Sequence, residues 1–239
     1  MQRNSKRFFM DKNNRYAVIL AAGEGRRMRS ALPKQFLELD GKPVLRYTIE
    51  RFLEFDPRIH LIVVLPADRI EYWREYCHHT GFRPAMRLVT GGLTRFHSVK
   101  NALEFVPEDA VVAIHDGVRP LIAADFLSEL FDKAARSQGV VPVLPLVESI
   151  RELQGAGLSQ AADRDRFVAV QTPQVFHAEV LKRAYAQPYS PAFTDDATAV
   201  ESLGIKISLC DGRRENLKIT TPEDLVLVRA IISRPAENL

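Results

Sequence analysis

Short runs of consecutive apolar residues alternate along the chain with longer segments in which apolar residues recur every three or four positions. Tyr16–Ala21, Leu61–Leu65, Val111–Ile114 and Val140–Leu144 read as buried strands, because an unbroken apolar run leaves no polar face for solvent. Lys206–Cys210 is a weaker run of the same kind. Pro142 has no N–H to give to a ladder, which places its strand near an edge or a bend. Pro43–Phe55 carries Leu45, Ile49, Phe52 and Leu53 on one helical face, and its proline suits a first turn. Further helices are expected around 70–79, 95–105, 125–136 and 222–232.

Continuous strands alternating with helices predict an α/β fold: a mostly parallel sheet covered by helices on both faces. No linker-like change of composition and no internal repeat divides residues 16–239, so one domain is expected. The stretch 148–170 breaks the rhythm, being polar and weakly periodic between the short pieces Ser149–Leu153 and Arg166–Val170. It predicts a protruding β-arm, either a surface excursion or a dimerisation device.

Composition narrows the function classes. A net charge of +3 spread over 239 residues lacks the dense basic face of a nucleic-acid binder. The basic N-terminal stretch 1–15 reads as a tail, its apolar cluster Phe8–Met10 being too short for a signal-peptide core or a membrane span. The expectation is a cytoplasmic protein with neither a nucleic-acid nor a membrane partner. Cys77 and Cys210 follow no metal or redox spacing; they are expected as two buried, reduced thiols, with pairing in the fold as the alternative.

Candidate chemistry gathers where strands end. The first strand runs into Ala21-Ala22-Gly23-Glu24-Gly25-Arg26-Arg27-Met28, with Pro33-Lys34-Gln35 following. In a doubly wound sheet this is where ligands meet exposed backbone N–H groups, and glycines let the backbone approach a phosphate. Met28 stands where the dinucleotide fingerprint needs a third glycine, and the P-loop pattern is absent. What remains is a glycine loop with Arg26, Arg27 and Lys34, a cation cluster suited to a triphosphate or, in part, to solvent. His115-Asp116-Gly117-Val118-Arg119-Pro120 ends another buried strand. There Asp116 can hold Mg²⁺ on phosphates and Arg119 can clasp a second phosphate; the alternative is an Asp-Gly turn with an incidental salt bridge.

Seven segments then occur in order: Ala21–Met28, Pro33–Phe36, Gly91-Gly92 with Arg95 and Ser98, His115–Pro120, Gln171–Gln174, Thr194–Ala197 and Asn216–Thr220. Together they resemble the 2-C-methyl-D-erythritol 4-phosphate cytidylyltransferase family over Tyr16 to about Ile232. The resemblance implies a Rossmann-like nucleotidyltransferase fold and a homodimer whose β-arms cross. Its substrates would be CTP and methylerythritol phosphate, with Mg²⁺ or another divalent cation accompanying the nucleotide. It implies transition-state stabilisation by Arg27 and Lys34, and a CTP pocket lined by Ala21, Ala22, Gly23, Gly25, Gly92, Arg95, Ser98 and Asp116. Around the acceptor phosphate and the metal it implies Asp116, Arg119, Thr172, Thr194 and Lys218. Ser149, on the arm, would help position the substrate, and Arg164 on the same arm would reach the neighbouring subunit's substrate. Similar wording in ribitol-phosphate cytidylyltransferases leaves a second acceptor open.

Overall fold

The computed structural model describes residues 14–23 and 32–233. The amino-terminal half contains β1 (Arg15–Leu20), β2 (Glu38–Leu39), β3 (Lys42–Pro43), α1 (Val44–Phe55), β4 (His60–Leu65), α2 (Ile70–His79), β5 (Met86–Thr90), α3 (Arg95–Leu103) and β6 (Val111–Asp116). There follow α4 (Ala124–Ala134), β7 (Gly139–Pro145), β8 (Arg151–Gly155), β9 (Leu158–Ala161), β10 (Val168–Val170), β11 (Gln174–His177), α5 (Ala178–Tyr185), α6 (Asp196–Glu201), β12 (Ser208–Asp211) and α7 (Pro222–Ile232).

Parallel strands β5, β4, β1 and β6 lie side by side, with Val18 of β1 between Ile62 and Ile114. Antiparallel β11 continues the sheet to β7, which also pairs with β10 and β12. One face packs on α1, α2 and α4 through Leu45, Ile49, Phe52, Trp73, Phe126 and Leu130. The other packs on α3, α5 and α6 through Phe96, Val99, Leu181 and Val200. The mostly parallel sheet with two covered faces is the architecture expected from the apolar runs. Each such large side chain, once fully buried, contributes about 1.5–3 kcal/mol of transfer free energy.

Three local differences have physical reasons. Arg15, grouped with the tail, is the first residue of β1; its guanidinium lies over the Phe55 and Phe131 rings, 5.2 and 5.3 Å from their centroids. Stacking on two rings lets a cation sit at a sheet margin. The final apolar run forms its strand at Ser208–Asp211, where it pairs with β7 from Val140 to Val143.

Pro142 stands in an interior strand, not an edge strand, because β12 covers its outer side. Its carbonyl accepts from Gln171 N at 2.8 Å, so its missing donor faces the β10–β11 side as well. There the five-residue step from Val170 to Val175 matches only the three-residue step from Val143 to Val140. The ladder is already interrupted at that point, and a proline is tolerated in such a bulge.

Within 148–170, β8 and β9 form an exposed hairpin, and β10 rejoins the main sheet. The hairpin turn has Gly155, Ala156 and Gly157 at φ +82°, +48° and +76°, a left-handed run in which two of the three residues are glycine.

Candidate active site

At the carboxyl ends of β1 and β6, where the strand order reverses about β1, lies a cleft of about 520 Å³. That is the place a doubly wound sheet offers a ligand, and the volume suits a nucleotide. Ala22, Gly23, Gly92, Arg95, Asp116 and Lys218 are among the residues that line it.

The loops that edge the cleft are held by the sheet itself. Ala21 N donates to Val64 O, Gly91 N to Leu65 O and Gly117 N to Leu20 O, each at 2.8 Å, so the ladders extend past the strands. Glycine is required at two adjacent positions after β5. A Cβ on Gly91 would lie 2.4 Å from the Ala22 Cβ, and one on Gly92 would lie 2.4 Å from the His97 Cβ. Ser98 Oγ accepts from Gly92 N and donates to Thr94 O, both at 3.0 Å, while the Thr94 side chain caps α3. Gly92 and Ser98 therefore fix the loop against a helix N-terminus, an end suited to an anion.

Arg95 leaves that first turn and reaches Asp196 with both nitrogens, Nη1–Oδ1 at 3.0 Å and Nη2–Oδ2 at 2.6 Å. Asp196 is fully buried and also accepts from Tyr185 OH at 2.6 Å. Burial alone would loosen the Arg95 proton; the facing Asp196 charge outweighs it and holds the guanidinium charged. Arg95 thus meets the cleft as an oriented cation.

Asp116 is buried, which alone would raise its pKa. Lys218, Arg95 and Arg119 together overcome this and hold it well below the usual carboxylate range. Lys218 Nζ is 2.8 Å from Asp116 Oδ2, and Arg119 Nε is 3.6 Å away. Arg119 lies behind Asp116 and outside the cleft lining, with Nη1 donating to Asn216 O at 2.7 Å. Asn216 Nδ2 in turn donates to Thr172 O at 2.8 Å.

His115, fully buried, supports the same turn. Its Nε2 faces Arg119 O at 3.2 Å, and a carbonyl can only accept, so Nε2 carries the proton. Nδ1 then accepts from the Thr172 hydroxyl at 3.2 Å, and that oxygen accepts from Asp116 N at 3.0 Å. Burial lowers the imidazole to about 4, so it is neutral at physiological pH. The whole chain of donors thus fixes the backbone that presents Asp116.

Lys34 opens a single 3₁₀ turn, Lys34–Phe36, and its Nζ donates to Ile219 O at 2.9 Å, next to Lys218. Thr194 is exposed before α6, its hydroxyl 3.4 Å from that of Thr198, and is not part of the cleft lining. Ser149 and Arg164 lie on the arm, where Arg164 donates to Val147 O. Gly25 and Arg27 lie outside the described residues. The structure therefore brings together Ala21, Ala22, Gly23, Gly92, Arg95, Ser98, Asp116 and Lys218, with Lys34, Arg119 and Thr172 at the margin.

Four supporting residues had no role from sequence: His115, Tyr185, Asp196 and Asn216. Three of them sit inside or beside the segments already singled out, but a side chain that faces inward has no pattern of its own. For a divalent ion, no group of three or more His, Cys, Asp or Glu assembles among the described residues. Asp116, ionised and in the cleft lining, is a hard carboxylate ligand of the kind that fits Mg²⁺. Among the described residues no helix is long and apolar enough to cross a membrane.

Comparison with known proteins agrees with this geometry. A family profile described as 2-C-methyl-D-erythritol 4-phosphate cytidylyltransferase matches residues 16–234. The enzyme of that name from Bacteroides fragilis is 48% identical over 91% of this chain and 99% of its own length. Its counterpart in Porphyromonas gingivalis is 46% identical, covering 93% and 99%. The crystal structure of the Francisella tularensis enzyme of that name superposes with a TM-score of 0.76 at 27% identity, covering 91% of this chain and 99% of the other.

Proposed function

Since the chain belongs to the 2-C-methyl-D-erythritol 4-phosphate cytidylyltransferase family, we propose that its cytidylyl transfer takes place in the cleft between β1 and β6. The protein is a CTP-dependent nucleotidyltransferase of isoprenoid biosynthesis. It joins CTP and 2-C-methyl-D-erythritol 4-phosphate into 4-diphosphocytidyl-2-C-methyl-D-erythritol and pyrophosphate. An oxygen of the acceptor phosphate forms a bond to the α-phosphorus, and the bond from that phosphorus to the β-phosphate oxygen breaks.

The nucleophile is already ionised, because a phosphate monoester has its second pKa at about 6. No general base is needed, and the neutral, hydrogen-bonded His115 is consistent with that. The difficulty is charge: a dianion must approach a polyanion while more charge gathers on the phosphorus and the leaving group. Oriented cations meet it by electrostatic stabilisation and alignment. Lys34 and Arg27 stabilise the transition state, Lys218 and Arg95 neutralise phosphate oxygens, and the Ala21–Gly23 backbone receives the nucleotide. Asp116 would hold Mg²⁺, which would supply further charge neutralisation when bound.

The observation that carries this reading is the Lys218–Asp116 pair, 2.8 Å apart, opposite the glycine-edged loop. One side chain is suited to a metal and the other to a phosphate. The arm extends the proposal to a homodimer, in which Arg164 grips the acceptor phosphate bound to the partner subunit. Exposed Leu153, Leu158, Phe167 and Val170 give such a contact an apolar surface. A cytoplasmic location accompanies the reading.

The test is pyrophosphate release with Mg²⁺ and CTP, comparing methylerythritol 4-phosphate with ribitol 5-phosphate. Release with the first alone is expected; release with ribitol phosphate alone would overturn the acceptor. Arg164→Ala should raise the KM for methylerythritol phosphate, and a change confined to the KM for CTP would contradict its role.

A further inference from the structure

Gln35 is 1% exposed, yet its amide bonds to the backbone of the loop that lines the cleft. Nε2 donates to Ala21 O at 2.6 Å and to Gly23 O at 3.2 Å, the two carbonyls that flank Ala22. A trans peptide directs its N–H opposite its C=O. Drawing the Ala21 carbonyl onto Gln35 therefore turns the Ala22 N–H away from Gln35, in a segment whose Ala22 and Gly23 line the cleft. Without that amide, two carbonyl oxygens would be free to rotate toward an incoming anion.

The same residue is anchored from behind. Phe36 N donates to Pro33 O at 2.9 Å, closing the turn, and the Phe36 ring packs 5.2 Å from Tyr72 and 6.2 Å from Trp73. Lys34, the adjacent residue, reaches Ile219 O beside Lys218. One buried amide thus joins the nucleotide loop to the turn that carries a cation of the reaction.

We propose that Gln35 is a positioning residue for cytidylyl transfer, holding the Ala21–Gly23 backbone in its anion-receiving orientation and in register with Lys34. The proposal rests on the cleft being the CTP site. Its effect falls on the nucleotide and not on the acceptor, which separates it from a purely structural role.

The experiment compares wild type, Gln35→Met and Gln35→Glu by calorimetric titration with Mg·CTP, steady-state kinetics in both substrates, and thermal unfolding. Gln35→Met keeps the length and removes both donors. It should weaken Mg·CTP binding about tenfold or more while the KM for methylerythritol phosphate changes less than about twofold. Nucleotide binding within about twofold of wild type, or equal losses toward both substrates in step with melting temperature, would overturn the proposal. In Gln35→Glu a carboxylate faces two carbonyls, and protonation returns one donor. Its binding deficit relative to wild type should shrink between pH 8.5 and pH 6, and a deficit that is flat with pH also counts against the idea. Mg·CTP binding needs no acceptor, so a different acceptor preference would leave the Gln35 result standing on its own.

Discussion

Replacing Asp196 by asparagine perturbs the fold and the cleft at one point, and its cost follows from the geometry. The buried carboxylate accepts two bonds from Arg95, at 3.0 and 2.6 Å, and one from Tyr185 at 2.6 Å. Asparagine keeps the shape but has one acceptor oxygen, and it turns an NH₂ group toward the guanidinium. Removing one partner of a buried ion pair costs about 3–5 kcal/mol when the other charge is left stranded. Arg95 is not fully stranded, since its side chain is 32% exposed and regains part of its hydration. The expected loss is therefore about 2–3 kcal/mol. With an unfolding entropy of about 2.1 cal/mol/K per residue over 239 residues, that lowers Tm by about 4–6 °C. Urea and thermal unfolding measure the loss, with Tyr185→Phe beside it as a single hydrogen bond to a charged acceptor, at about 1.5 kcal/mol. Because Arg95 also loses its orientation, the KM for CTP should rise in Asp196→Asn. A loss below about 0.5 kcal/mol, or one smaller than that of Tyr185→Phe, would refute the claim that Asp196 holds the guanidinium.

Three further outcomes are expected. Lys34→Ala should lower kcat by a factor of roughly 10² to 10³ with an unchanged circular-dichroism spectrum, and near-normal turnover would remove it from the reaction. Gly92→Ala should destabilise the protein by about 1–3 kcal/mol and weaken CTP binding, because the new methyl meets His97 and must displace the start of α3; unfolding and titration read both effects. Burial pushes the Cys77 thiol up to about 11 and moves Cys210 in the same direction, so the reactive thiolate of each is scarce at pH 8 and increases as pH rises. A chromogenic disulfide reagent should therefore label neither cysteine in the native protein at pH 8 and both in denaturant; rapid native labelling would show that the thiols are accessible.

Much of the cleft is legible in the sequence. Ala21–Gly23 follow a strand whose apolar run cannot face solvent, so the loop after it had to lie at a sheet edge. Gly91, Gly92 and Gly117 lay within the segments singled out, but only the fold brings up the atoms that each approaches closely. Asp116 and Lys218 were quoted in separate segments, but only the fold sets them 2.8 Å apart. Strands β5 and β11 escaped notice because each is short and partly polar, and helices α5 and α6 offer too few turns for a periodicity to register.

The sequence by itself determined the layered α/β arrangement, the strand ends that carry chemistry and the family, because apolar period and glycine placement are local properties of the chain. Tertiary structure alone decided which inward-facing polar groups support the site. Gln35 clamps a loop 14 and 12 residues away, and Arg95 finds Asp196 across 101 residues. Pro142 sits inside the sheet because a register break takes the place of its missing donor. A buried polar side chain must be satisfied by whatever partner folding brings to it, and that partner is fixed by the packing of distant elements and not by its neighbours in sequence.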